Sequence, residues 1–342
     1  MKEIGYELWD RKIPMTPDHA ELVLKEYAKF HAVSLAMREK RPVHFEELTK
    51  DLGNVFQDAP PEKSLKMIMS AVEGGLEAVK GNQVATEALE RYALVAEKFW
   101  LEDMKNLDEP LVVLHGDCWC NNFLFKNEVF YNLLKIIVSD RLCEIALGAL
   151  PCVCRKLQVA QNEHPQPENR ILKIARYSYV STINRYTKFV LAHFKDQDSN
   201  KPTKLCVIDW QLCSKGSPVQ DLAYFLFTCC PKEILTDYRK YLKIYHDCVC
   251  QNLKNFNCDP EEILPFSSLE RLWQKYAKFG IHMALMIIKL MLGETGEVPN
   301  FAEIVDSGKD IMTGLNIEIR RSDDYSRRIS DILSVSSEND LI

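Results

Sequence analysis

The sequence predicts an α+β chain, mostly helical, with a short β-hairpin near its middle. Three observations carry this expectation. Apolar residues recur at three-to-four spacing through much of the first hundred residues and again after residue 220. Between those stretches the period changes to short β-rich runs: LVVL at 111–114, NNFLFK at 121–126 and KLCVIDW at 204–210. With 342 residues of ordinary apolar content, the chain is long enough to bury a sizeable core.

The first helix is expected in TPDHAELVLKEYAKFHAVSLAM. Thr16 stands at the N-cap, Pro17 at the first helical position and Asp18 in the first turn. Leu22, Val23, Tyr27, Phe30 and Ser34 share one face, which should be buried. His31 sits beside that face and reads as a hydrogen-bonded core residue rather than a ligand. SLKMIMSAVEGGLEAV and NQVATEALERYALVAEKFWLEDM continue the helical pattern. The Gly74–Gly75 pair lies inside it with no strand before it, so it is not a phosphate loop. Helices resume at DLAYFLFTC, PKEILTDYRKYLKIYHDCVCQNLKNF and SLERLWQKYAKFGIHMALMIIKLML. The apolar run 280–293 is too short to span a bilayer and is interrupted by His282 and Lys289, so it reads as a buried helix. The polar tail SVSSENDLI is expected to fray.

Composition excludes several classes. A net charge of −6 argues against a nucleic-acid footprint. MKEIGYELWDRK has no signal-peptide pattern. Eight of the twelve cysteines fall in CxC and CC pairs, unlike the CxxC spacing of zinc sites, and the cysteines read as reduced thiols of a cytoplasmic protein. Residues 127–197 break the pattern, with ten basic and six acidic side chains between two short strands. So long a connection suits either a surface insertion at a hairpin tip or a translated intron, and the composition shift favours the intron. Its basic stretch NRILKIARYSYVSTINRYTKFVLAHFK has no steady aromatic spacing and receives no site.

Chemistry concentrates in LVVLHGDCWCNNFLF, at 111–125. His115, Asp117 and Asn122 follow H-x-D-x-x-x-x-N, and Asp209 ends the next β-rich run. In phosphoryl transfer by kinases, one Asp meets the acceptor hydroxyl, while an Asn of the same loop and a second Asp hold the metals. Magnesium needs few protein ligands because phosphates and water fill its shell. Turns also favour Asx residues, so the spacing alone is not decisive.

HGDCWCNNFLF and KLCVIDWQLCSKGSPVQDLAYFLF resemble the ecdysteroid kinase-like family, also called the CHK kinase-like or juvenile-hormone-inducible family, related to choline kinases and aminoglycoside phosphotransferases. KEYAKFHAVSLAM and YSRRISDILS extend the resemblance over most of the chain outside 127–197. It implies a protein-kinase-like fold whose helical C-terminal lobe is formed by 1–126 and 198–342. It further implies ATP, magnesium and a small-molecule alcohol as acceptor, an ecdysteroid or a foreign compound. Asp117 would be the catalytic base, braced by His115, with Asn122 and Asp209 on the metal. Asp221 would hold the loop backbone, Trp119 and Trp210 would pack the loop, and Tyr224, Phe225, Trp273 and Met283 are available to an acceptor pocket. Two departures stand out. Nothing before His115 resembles the family's strand-rich N-terminal lobe with its phosphate loop and strand lysine, and the strands flanking 127–197 should be joined by a short turn. A truncated chain of little kinase activity is therefore expected. The alternatives are a non-catalytic pseudokinase that binds a small molecule or protein, and a Cys-based metal or redox protein. The sequence assigns no oligomeric state.

Overall fold

The computed structural model describes residues 5–53, 58–127, 201–294, 296–298 and 317–342. Among the described residues the strands are β1 (Glu7–Leu8), β2 (Val112–Leu114), β3 (Phe123–Asn127), β4 (Pro202–Val207) and β5 (Ser214–Gly216). The helices are α1 (Pro17–Lys40), α2 (Pro42–Thr49), α3 (Pro61–Ala78), α4 (Gln83–Lys98), α5 (Pro218–Cys229), α6 (Lys232–Thr236), α7 (Tyr238–Asn255), α8 (Pro260–Ile263), α9 (Phe266–Leu292) and α10 (Ser322–Glu338). The chain is thus mostly helical with small antiparallel sheets, an α+β arrangement. It divides into a larger compact unit, Glu7–Phe125 with Leu205–Ile342, and a smaller one, Met1–Tyr6 with Lys126–Lys204. The expectations for 127–197 lie outside the described residues, Asn127 aside.

β1, β3 and β4 form one sheet in that order, and β2 pairs with β5 in another. β1 runs antiparallel to β3, with Glu7 opposite Phe125 and Leu8 opposite Leu124. β2 is antiparallel to β5 in the register Val112–Gly216, Val113–Lys215, Leu114–Ser214. Neither β1 nor β5 was legible in the sequence. β1 is two residues long in a region read as helical, and SKG has no β-branched residue.

α1 begins as expected, with Thr16 extended at the N-cap and Pro17 next. The Thr16 hydroxyl, however, bonds the His19 ring Nδ1 at 2.7 Å instead of a backbone amide. Acidic Asp18 in the first turn and Arg38 and Lys40 in the last complement the helix dipole. The buried seam is Ala20, Val23, Leu24, Tyr27, Ala28, His31, Ala32 and Leu35, while Leu22 and Phe30 lie at its margin. This face packs on α7.

α5 is buried on every side, as an all-round apolar helix at the centre of a fold must be. Gln220 Oε1 accepts the Ser217 N–H at 2.9 Å, and Pro218 follows at the first helical position. α9 crosses α5 so closely that a Cβ on Gly280 would sit 2.3 Å from the Ala223 backbone. The run 280–293 is buried helix up to Leu292, as expected; His282 within it is fully buried and meets the Tyr92 hydroxyl at 2.9 Å.

Two expectations are corrected. The stretch 231–256 is two helices, α6 and α7, broken at Asp237. SVSSE does not fray: it completes α10, where Ile329, Ile332, Leu333 and Ser336 are all buried. Their i, i+3, i+4, i+7 spacing continues the apolar face under polar-looking letters, and α10 packs on α4 and α9.

Candidate active site

β2 delivers the chain to the loop at His115, and α5 fixes the loop from below. Asp221, 1% exposed in the first turn of α5, accepts the His115 N–H at 2.8 Å and the Gly116 N–H at 3.0 Å. Burial pushes the Asp221 carboxyl up, but the hydrogen bond from His31 and the nearby His31 and His115 rings outweigh it and hold it below the usual range. Gly116 has φ +83°, and a Cβ there would lie 2.2 Å from the Leu212 carbonyl oxygen. Only glycine fits that conformation in that space.

His115 is fully buried and ties the loop to the next strand. Its Nε2 bonds the Ile208 carbonyl at 3.0 Å, so Nε2 carries the proton, because a carbonyl only accepts. Nδ1 is left to accept the Asp117 N–H at 3.3 Å, with the Tyr27 hydroxyl at 3.4 Å. The Ile208 N–H donates to the Asn122 carbonyl at 3.0 Å. Ile208 is thus clamped between His115 and Asn122, which brings its neighbour Asp209 to the loop that carries Asp117 and Asn122.

Asp117 is half-buried and carries three side-chain donors. Asn122 Nδ2 reaches Oδ2 at 2.8 Å, Trp119 Nε1 reaches Oδ2 at 3.2 Å and the Tyr224 hydroxyl reaches Oδ1 at 3.2 Å. Burial raises its pKa; the bonds from Asn122, Trp119 and Tyr224, with His115 nearby, draw it back only in part. Asn122 is buried, and Nδ2 also donates to the Asp117 carbonyl at 2.9 Å, so both bonds leave from the nitrogen. Asp209 is exposed at φ +63°, a left-handed conformation that is uncommon outside glycine and occurs at functional turns. Gln211 Nε2 lies 3.4 Å from its Oδ2.

Trp210 is 42% exposed, yet its ring meets His115 edge-on at 4.8 Å and Phe30 at 4.8 Å. Of the residues considered for an acceptor pocket, Tyr224 touches Asp117, whereas Phe225, Trp273 and Met283 are buried in the core. Two partners were not read from the sequence. His31, the expected core residue, contacts Asp221 Oδ2 through Nε2 at 3.2 Å, and its Nδ1 meets the Tyr245 hydroxyl at 2.9 Å. No sequence spacing could pair α1 with α5 and α7; only packing does.

The ecdysteroid kinase-like family model matches residues 1–140 and 190–258, more than half of the chain and both segments that build this site. The chain belongs to the ecdysteroid kinase-like family. Membership points to a kinase-like phosphotransferase and, in general terms, to ATP and a metal. No curated protein and no solved structure matches this ecdysteroid kinase-like chain. Among its described residues, no three His, Cys, Asp or Glu side chains gather as a metal site, and no helix is long and apolar enough to cross a membrane. The oxygen donors of Asn122 and Asp209 nevertheless suit magnesium, which binds through one or two protein groups plus substrate phosphates. The described cysteines are free thiols; burial pushes the Cys118 thiol up, away from the reactive thiolate form.

Proposed function

We propose that this protein transfers the γ-phosphoryl group of ATP to a hydroxyl of a small molecule, an ecdysteroid-like or foreign alcohol. The observation that carries the reading is the Ile208 clamp, which joins the Asp117–Asn122 loop to Asp209 through two 3.0 Å hydrogen bonds. Asp117 orients the acceptor hydroxyl and takes its proton as the bond to phosphorus forms. Its carboxylate is held for that task by Asn122, Trp119 and Tyr224. Asn122 through its amide oxygen and Asp209 through its carboxylate would hold magnesium, which neutralises the phosphate oxygens. His115 braces the loop, and Asp221 fixes its backbone.

The smaller unit with 127–197 is read as an insert in this helical lobe. The described strands before His115 are the two-residue β1 and the three-residue β2, and neither carries a lysine for the phosphates. Positioning is most of the catalysis in this chemistry. Slow turnover is therefore expected from this chain assayed by itself.

The test is ATP turnover with magnesium over a panel of steroid and phenolic alcohols. Asp117→Ala should lower the rate on the order of 10²–10⁴-fold. Asp209→Ala should abolish the magnesium-dependent turnover. Turnover that survives Asp209→Ala, or an unchanged rate in Asp117→Ala, contradicts the assignment.

A further inference from the structure

Asp221 holds two loop amides, but a carboxylate can hold two amides only if its own rotation is fixed. Its oxygens divide three bonds. Oδ1 takes the Gly116 N–H at 3.0 Å, and Oδ2 takes the His115 N–H at 2.8 Å together with His31 Nε2 at 3.2 Å. Both side chains are essentially without solvent, 0% exposed for His31 and 1% for Asp221. Water therefore cannot replace a missing donor. The far side of the His31 ring is fixed in turn: the Tyr245 hydroxyl of α7 meets Nδ1 at 2.9 Å, and the Tyr27 ring stacks at 5.9 Å. A continuous line of contacts runs from α7 through α1 and α5 to the backbone beside Asp117.

We propose that His31 is a positioning residue: through Asp221 it sets the backbone of the 115–122 loop, and so the place of Asp117. The inference rests on the phosphotransferase reading for its kinetic consequence and on geometry alone for its effect on the loop. Val23, Leu24, Ala28 and Leu35 make the α1 seam mainly apolar around His31. A leucine at 31 would keep an apolar side chain in that seam and delete the Nε2 donor to Asp221, along with the Nδ1 acceptor for Tyr245. Asp221 would then keep its charge with one bond fewer and freedom to rotate away from its amides.

The experiment is amide hydrogen exchange of the full chain, read at the His115 and Gly116 amides against the α5 amides as an internal reference. In His31→Leu, exchange at those two amides should rise on the order of tenfold or more, in line with one lost bond to a charged group. His31→Gln, whose side-chain amide can donate to Asp221, should restore most of the protection. Where turnover is measured, His31→Leu should lower kcat with KM for nucleotide and acceptor unchanged. Wild-type protection of both amides in folded His31→Leu overturns the proposal. If that variant does not fold, Tyr245→Phe decides through the same amides: faster exchange supports the proposal and unchanged exchange overturns it. Loosened amides in a protein that transfers no phosphate would uphold the role of His31 on the loop and remove the phosphotransferase reading instead.

Discussion

His115, Asp117 and Asn122 are held by neighbours, Tyr27, Tyr224 and Ile208 among them, that the sequence did not pair with them. Three donors converge on Asp117, and two backbone bonds at Ile208 bring Asp209 to it. The candidate residues themselves stand out in the sequence, because H-x-D-x-x-x-x-N is a local pattern. Their supports were not, because Tyr27, His31, Tyr224 and Tyr245 look like ordinary members of apolar helix faces. The same packing sets a pH dependence at His282. Burial holds that imidazole neutral, its pKa lowered from 6.5 to about 3. The unfolded chain therefore binds a proton below about 6.5 that the folded chain refuses until about 3. Its contribution is fully present above pH 6.5 and is lost as pH falls toward 3. Urea unfolding between pH 7 and pH 5 should show stability falling by up to about 1.4 kcal/mol per pH unit from this group. His282→Gln should flatten that slope. An identical slope in both proteins would show that His282 titrates alike in the folded and unfolded chain.

The long helices α1, α3, α4, α5, α7 and α9 were the most legible elements, because each shows a sustained apolar pattern; the short α2 and α8 were not read. What failed was short or hidden: the two-residue β1, the three-residue β5, the break at Asp237 and the buried face of SVSSE. Strands this short have too few residues to show a period of two. Glycines within helices separate intrinsic preference from packing. At Gly280 an added Cβ would meet the Ala223 backbone at 2.3 Å, so α9 and α5 must part. Gly280→Ala should destabilise the protein by about 1–3 kcal/mol despite alanine's better helix propensity. At Gly74 a Cβ would meet only the flexible Lys289 Nζ, 3.8 Å away. Gly74→Ala should therefore stabilise by about 0.5–1 kcal/mol. Denaturant titration of the two variants checks both signs. Equal effects would mean that the α5–α9 contact does not limit the side chain at 280.

At the scale of the molecule, residues 127–197 interrupt two strands that are neighbours in one sheet. The Thr203 hydroxyl donates to the Lys126 carbonyl at 2.9 Å, so the strand ends are close enough for a short turn. Replacing 127–197 by such a turn, leaving Lys126 and Asp198 at its ends, should keep the larger unit folded. Its thermal midpoint should be equal or higher, since a shorter connection costs less closure entropy, roughly 2–2.5 kcal/mol less. A deletion variant without a cooperative melt would mean that the larger unit needs the segment. The helical architecture was visible in the sequence, as was the membership later given by the family match. The sheet order and the bonds that build the site were not, since they join residues some 90 to 190 positions apart.

The measurement that bears most directly on the central claim is ATP turnover over the alcohol panel, with magnesium and with a chelator, for the unchanged chain, Asp117→Ala and Asp209→Ala side by side. The expected result is a slow transfer that requires magnesium and falls on the order of 10²–10⁴-fold in either variant. Transfer that persists with the chelator or in Asp209→Ala, or a chain that neither transfers phosphate nor binds nucleotide in a magnesium-dependent way, would contradict it.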